Sequence, residues 1–213
     1  TVITATFTPT DTTNYNNSSI QMTLTVSRAT QATLSITSLT TNTKTYSQLS
    51  NSQALSITTS GGSGTGAITF AIASGGSAGA CQLSNATATA TVSAASAGTC
   101  LIRATKAADS TYDARSSETF TFTFTKATPT LSDFPNLSKT IGDTAFNLTS
   151  PTSAPPIGGS FTFSSATTAT ATISSQGRVN LGSAGTTVIT ATFTPTDRTN
   201  YNSATIQMTL AVS

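Results

Sequence analysis

The first 27 residues of the chain are repeated at its end. Residues 1–27 read TVITATFTPTDTTNYNNSSIQMTLTVS, and residues 187–213 read TVITATFTPTDRTNYNSATIQMTLAVS, with five substitutions. A self-match at a fixed offset is the signature of a repeat architecture. Because the two copies lie 186 positions apart, we interpret residues 28–213 as one full period and residues 1–27 as the end of a preceding unit.

Hydroxylated side chains dominate the composition. The chain has 50 Thr and 31 Ser among 213 residues, and only 8% of its residues are charged, against about a quarter in typical soluble domains. The nine Lys and Arg residues are scattered singly, so no basic stripe is available for phosphates or anionic lipid. Nucleic acid and membrane surfaces are therefore not expected partners, and the Thr, Val, Ile and Phe content favours an all-β fold.

Apolar residues recur at every second position in several segments. Ile206, Met208, Leu210 and Val212 alternate with polar or small residues, and the equivalent residues Ile20, Met22, Leu24 and Val26 repeat the pattern. Phe120, Phe122 and Phe124 alternate with Thr. A disordered Ser/Thr tract would lack this order, because it has no buried face to offset the entropy of ordering. The period of two predicts half-buried strands.

A weaker repeat divides the period into two parts. SAGTCLIRAT at 96–105 matches SAGTTVITAT at 183–192, 87 positions later, and RAT at 28–30 corresponds to KAT at 126–128. We therefore predict three segments: residues 1–27 as the C-terminal strands of a preceding domain, residues 28–126 as a domain with a cysteine pair, and residues 127–213 as a second domain. Both complete segments have the size of a β-sandwich.

These segments resemble bacterial immunoglobulin-like (Big-type) tandem repeat domains. The resemblance rests on KTIGD at 139–143, FNL at 146–148, FTF at 161–163, ATATI at 169–173 and GTTVITAT at 185–192. Residues 28–126 resemble a cysteine-containing version through GAITF at 66–70, GTC at 98–100 and ATKAAD at 104–109. The resemblance implies immunoglobulin-like β-sandwiches arranged end to end, in large cell-surface or secreted proteins that serve as stalk, adhesin or matrix component.

Cys81 and Cys100 are the only cysteines. The alternation around each of them places both side chains toward one sandwich core. We predict a disulfide between them, which needs an oxidising compartment and so an extracellular location. The alternative is a pair of reduced, buried thiols that pack as small hydrophobic groups. A metal pair is not expected, because the chain has no His and two thiolates do not complete a zinc site.

The seven carboxylates do not cluster as calcium ligands do. Asp109 and Asp113 come closest, but a calcium loop places several acidic oxygens within one short segment. Asp11 and Asp197 lie in Thr-Asp-x-Thr-Asn-Tyr motifs, where an Asp side chain typically bonds the nearby backbone in a turn. The tyrosines that follow these turns, and their equivalent in the first domain, are interpreted as core-corner residues: Tyr15, Tyr112 and Tyr201. No metal is predicted.

The sequence offers no catalytic constellation. Nucleophilic catalysis by Ser, Thr or Cys needs an adjacent base, and the chain has no His and few carboxylates. The glycine-rich segment at 61–66 lacks the Lys-Ser/Thr ending of a phosphate-binding loop and is interpreted as a sandwich loop. We therefore expect no enzyme activity, no catalytic residues and no cofactor.

The leading hypothesis is a non-enzymatic, extracellular structural or adhesive protein whose tandem modules form a stalk or fibre at the bacterial cell surface. Its expected partners are neighbouring repeats of the same chain or like molecules. A first alternative is a self-assembling filament or surface-layer subunit, completed by strand pairing between molecules, since residues 1–27 alone are a marginal hairpin. A second alternative is a module that binds a glycan or a protein through its loops.

Overall fold

The computed structural model describes residues 1–38, 41–46, 55–84, 87 and 89–213. Within these ranges the chain forms β-strands and no α-helix. Short strands are expected from this sequence, because β-branched Thr, Val and Ile pack well on a pleated sheet. Gly and Pro residues lie in several of the loops between strands and favour turns there.

The first hairpin, residues 1–27, is a two-stranded antiparallel sheet of its own. It consists of β1 (Val2–Phe7) and β2 (Ser18–Thr23), in a register that sets Ile3 opposite Met22. β2 ends at Thr23, and Leu24 continues the pairing through backbone hydrogen bonds with Thr1. No described strand pairs with the outer edge of either β1 or β2.

A first sandwich follows, made of nine strands. They are β3 (Leu34–Ser38), β4 (Thr43–Thr45), β5 (Leu55–Gly61), β6 (Ile68–Ala73), β7 (Gln82–Ser84), β8 (Ala90–Ser93), β9 (Gly98–Lys106), β10 (Arg115–Ser116) and β11 (Phe120–Thr125). One sheet has the order β3-β5-β8-β7. The other has the order β10-β9-β11-β4, with β6 also paired to β9. The two sheets pack face to face.

The core of the first sandwich lies between its two sheets. One sheet contributes Leu34, Ile36, Leu55, Ile57, Ala90 and Val92, and the other contributes Phe70, Cys100, Ile102, Ala104, Phe122 and Phe124. Of the three alternating phenylalanines, Phe122 and Phe124 are buried and Phe120 is half-buried, in β11, which is paired on both sides. A phenylalanine strand in this position is protected from pairing with another molecule.

A second sandwich is formed by the remaining strands. They are β12 (Thr130–Ser132), β13 (Leu137–Lys139), β14 (Phe146–Asn147), β15 (Thr152–Ala154), β16 (Gly159–Ser165), β17 (Ala171–Ile173), β18 (Arg178–Leu181), β19 (Gly185–Pro195) and β20 (Ala204–Val212). Its larger sheet has the order β13-β20-β19-β16, and it faces the sheet β14-β18-β17 and the pair β12-β15. The core residues are Phe134, Phe163, Ala171, Val179, Ile189, Ala191, Met208, Leu210 and Val212.

The two sandwiches share one topology. In each, a short early strand pairs in parallel with the last strand: β4 with β11 and β13 with β20. Two antiparallel sheets around one core, with the last strand returning beside an early one, make an immunoglobulin-like arrangement. The predicted fold class, an all-β chain of tandem immunoglobulin-like β-sandwiches, is confirmed. The proposed boundaries at residues 28 and 127 stay a prediction.

A disulfide joins Cys81 to Cys100 in the first sandwich. The Cα atoms are 5.9 Å apart, and the sulfur of Cys100 is fully buried in the core. Cys81 directly precedes β7 in one sheet, whereas Cys100 lies in β9 of the other. The bond therefore holds the two sheets of the first sandwich against each other.

We predict that reducing this bond lowers the free energy of unfolding of the first sandwich by about 3 kcal/mol, the loop-closure entropy of a loop of this size. Hydrogen exchange with mass spectrometry, run in denaturant with and without reductant, measures each sandwich separately. The second sandwich has no cysteine and serves as an internal control. An equal loss of protection in both sandwiches, or none in the first, would contradict the prediction.

Candidate functional site

The recurring Asp motif forms a hydrogen-bonded turn at the end of the second sandwich. The Asp197 carboxylate accepts hydrogen bonds from the backbone N–H groups of Thr199 and Asn200, each at 3.1 Å. Its second oxygen accepts a bond of 2.8 Å from the Asn200 side-chain amide. This bonding is typical of an Asx turn. It uses the side-chain amide nitrogen of Asn200 and leaves the side-chain oxygen, Oδ1, free to reach outward.

The same Asn200 side chain joins the two sandwiches. Its Oδ1 atom accepts a hydrogen bond of 2.8 Å from the backbone N–H of Ala97, which lies just before β9 of the first sandwich. Asn200 is only 8% exposed. A buried amide that is hydrogen-bonded to both sandwiches holds the two sandwiches in one relative position. Breaking either bond would leave a desolvated polar group without a partner.

An aromatic pair covers another side of the junction. The rings of Tyr46 and Tyr201 meet edge to face, with centroids 5.5 Å apart. Such pairs contribute about 1 kcal/mol beyond the burial of their area. Burial of Tyr201, followed by the nearby Tyr46 and Asp197, raises the pKa of its hydroxyl above the ordinary value. The core-corner interpretation therefore misses this role, because Tyr201 also contacts the preceding sandwich.

The chain crosses the junction in very few residues. β11 ends at Thr125, and Ala127 already forms a parallel bridge to Tyr201 in the second sandwich. Between them, the Lys126 ammonium donates a hydrogen bond of 2.6 Å to the backbone oxygen of Arg198. The linker between the sandwiches is therefore a single residue, Lys126, with a paired strand before it and a β-bridge after it.

Asp109 makes the corresponding turn in the first sandwich. Its carboxylate accepts hydrogen bonds from the backbone N–H groups of Thr111 and Tyr112 at 2.8 Å and of Thr65 at 2.7 Å. These bonds, led by the one from Thr111, lower the pKa of Asp109 to about 2. Gly64, with φ of +68°, approaches so closely that a Cβ atom there would collide with the carboxylate. The glycine-rich segment is thus a sandwich loop tied to Asp109.

Shallow grooves flank the junction, and they carry no reactive set of side chains. A groove of about 680 Å³ is lined by Ser77, Ala97, Gly98, Phe124, Thr125, Lys126, Arg198, Thr199 and Asn202. Across the described ranges, no group of three or more His, Cys, Asp or Glu side chains is placed to hold a metal ion. Among the described residues, no helix is long and apolar enough to cross a bilayer.

The first hairpin leaves a large apolar face uncovered. Its exposed apolar side chains are Val2, Ile3, Phe7, Tyr15, Ile20, Met22, Leu24 and Val26. Phe7 is 67% exposed, whereas its counterpart Phe193 is 2% exposed, and Leu24 is 46% exposed against 0% for Leu210.

Sequence reasoning identified the Asp turns and the cysteine pair, but it missed the junction contacts. The pairs Ala97–Asn200 and Tyr46–Tyr201 join residues that are far apart in sequence. Asn14 and Tyr15 recur as Asn200 and Tyr201 in the second copy. The Asn side chain bonds the turn aspartate in both copies, so its recurrence does not indicate a contact between sandwiches.

No family model matches the sequence, and no curated protein matches it. Among solved structures, the chain is similar to protocadherin gammaB7 EC3-6, with 12% identity and a TM-score of 0.39 over 100% of this chain and 56% of that one. It is also similar to a C-terminal fragment of intimin bound to the translocated intimin receptor, with 21% identity and a TM-score of 0.34 over 84% and 64% of the two chains. Domains 4 and 5 of the S-layer protein SbsC match with 19% identity and a TM-score of 0.30 over 86% and 99%. All three similarities are remote in sequence.

Proposed function

We propose that this chain is a non-enzymatic, extracellular structural or adhesive module that acts as a stiff spacer at a bacterial cell surface. In this role, its sandwiches stack end to end and set the distance between whatever lies at the two ends. The mechanism needs no chemistry beyond folding. It needs sandwiches that stay folded outside the cell and junctions that do not bend freely.

The observation that carries the proposal is the bonded junction between the sandwiches. Asn200 bonds Ala97, Tyr201 packs on Tyr46, and a single residue separates β11 from the first bridge of the next sandwich. Flexible linkers are typically Gly- and Ser-rich and lack such contacts. Neighbouring domains joined by a small interface are expected to move relative to each other, so these direct bonds favour a fixed angle.

The surface chemistry supports an extracellular spacer. With 8% charged residues and many hydroxyl groups, the outer strand faces are hydrated without strong charge. Long-range electrostatic attraction or repulsion between adjacent sandwiches is therefore weak. The Cys81–Cys100 disulfide is of the kind that persists in oxidising compartments.

We expect the Asn200→Ala substitution to loosen the junction. Losing a hydrogen bond costs about 1 kcal/mol, which lowers the ratio of docked to undocked junctions about fivefold. Spin labels on Thr37→Cys and Thr172→Cys, one in each sandwich, report the inter-sandwich distance by double electron–electron resonance. The distance distribution should broaden in the variant.

Asn14→Ala is the matched control for this measurement. Asn14 makes the same side-chain bond to its own turn aspartate, Asp11, at 2.8 Å, and among the described residues it makes no side-chain bond to another sandwich. Its substitution should leave the distance distribution unchanged. A distribution that is already broad in the parent chain would overturn the stiff junction and, with it, the spacer role.

We also expect length to increase linearly with repeat number. Because residues 1–27 match residues 187–213 at all but five positions, residues 28–213 can be appended after position 213 in a nearly unchanged sequence context. With strands of ordinary rise, each added copy should lengthen the particle by about 80 Å. Small-angle scattering and electron microscopy of chains with one, two and four copies measure this increment. Compact particles, with increments far below this value, would contradict the proposal.

A further inference from the structure

Two cationic side chains, Lys126 and Arg198, meet at the junction although they lie 72 positions apart in the sequence. The Lys126 ammonium donates its 2.6 Å hydrogen bond to the backbone oxygen of Arg198, and both residues line the groove of about 680 Å³ beside the junction. The cations are scattered singly along the sequence, so folding brings these two together. Like charges held this close repel each other, and an anion bound between them offsets that repulsion.

We propose that this groove, called the junction groove, binds an acidic saccharide whose uronate carboxylate is held by Lys126 and Arg198. The groove has walls from both sandwiches, since Ser77 and Thr125 belong to the first and Arg198 to the second. The proposal therefore rests on the bonded junction. It adds a ligand to the spacer role and does not follow from that role.

The walls of the junction groove carry no carboxylate to neutralise the two cations. The nearest one in sequence is Asp197, whose two oxygens accept the hydrogen bonds of its own turn. Asp197 lines a second groove, of about 450 Å³, together with Tyr46 and Tyr201. The carboxylate and the two cations thus line different grooves at the junction, and the junction groove is the cationic one.

Both cations keep hydrogen-bond donors that the protein does not use. An ammonium has several N–H groups, and Lys126 directs one of them to the Arg198 oxygen. Across the part of the chain that the structure describes, no hydrogen bond occupies the Arg198 guanidinium. A guanidinium presents a planar pair of donors that matches the two oxygens of a carboxylate. The pair of cations can therefore hold one carboxylate through several charge-assisted bonds.

The rest of the lining fits the hydroxyl groups of a sugar. Ser77, Thr125 and Thr199 provide hydroxyl groups, and Asn202 provides an amide. The Asn202 amide nitrogen donates a bond of 3.1 Å within the second sandwich, while its side-chain oxygen accepts no bond from a described residue. The one large apolar side chain of the lining, Phe124, is only 2% exposed. A peptide with apolar anchors would find little to contact here, whereas a polyhydroxylated acid finds a charge anchor and polar neighbours.

The test titrates the full chain, labelled with ¹⁵N, with trigalacturonate at low ionic strength. We expect saturable NMR shifts at the amides of Ala97, Gly98 and Thr199, and weaker binding as salt is added, because the cations are exposed and salt screens them. The methyl ester of trigalacturonate keeps the sugar rings without the charge and should not saturate these shifts. Equal binding of the ester would overturn the proposal. If inorganic sulfate binds as tightly as trigalacturonate, the groove takes a free anion and the saccharide assignment is wrong.

Arg198→Thr tests the site itself. Thr is the residue at the equivalent position 12 of the first copy, so this turn accepts it. Losing one exposed charge partner should weaken trigalacturonate binding about fivefold. Arg178→Gln is the matched control, because it removes the same charge from an exposed position of β18 that does not line the groove. Equal weakening in both variants would indicate unspecific attraction and overturn the proposal.

The spin-label distances of the parent chain separate this proposal from the spacer role. A narrow distribution without saturable binding of trigalacturonate overturns the saccharide site alone. A broad distribution in the parent chain means that the two walls of the groove are not held together, and it overturns both proposals. A narrow distribution together with saturable binding, weakened by Arg198→Thr and not by Arg178→Gln, supports both.

Discussion

Every sheet in this chain is apolar on one face only, so each needs a second sheet to cover it. The alternation of Thr with Ile, Val, Leu or Phe sends hydroxyl groups to water and apolar groups inward. Where the second sheet is present, Ile189 and Leu210 are fully buried. Where it is missing, the same residue types at Ile3 and Leu24 are 45% and 46% exposed. Coverage, not strand sequence, decides whether a strand lies in a core.

This dependence explains what the sequence could and could not predict. The period of two identified β20 and β11, and it predicted the sandwich class, because alternation is a local signal. It did not predict which strands become neighbours, such as the parallel pairing of β4 with β11. Local pattern contains the tendency to form a strand, whereas its pairing depends on partners that lie far away in sequence.

The junction shows the same limit for the candidate site. An Asp-x-Thr-Asn-Tyr segment predicts a turn, since Asp197 needs only its own backbone to form one. It does not predict which group donates to the side-chain Oδ1 of Asn200, because Ala97 is brought near by the stacking of two folded sandwiches. The charge-poor composition predicted no catalytic or nucleic-acid site, and the contacts between modules became visible only in the structure.

The same physical rule connects the junction with the core of the second sandwich. There, the hairpin of residues 187–213 buries Leu210 in the core and contacts the preceding sandwich through the Asn200 side chain. Core and junction are thus built from a single segment. A substitution that displaces this hairpin therefore removes the cover of the core and the contact between the two sandwiches together.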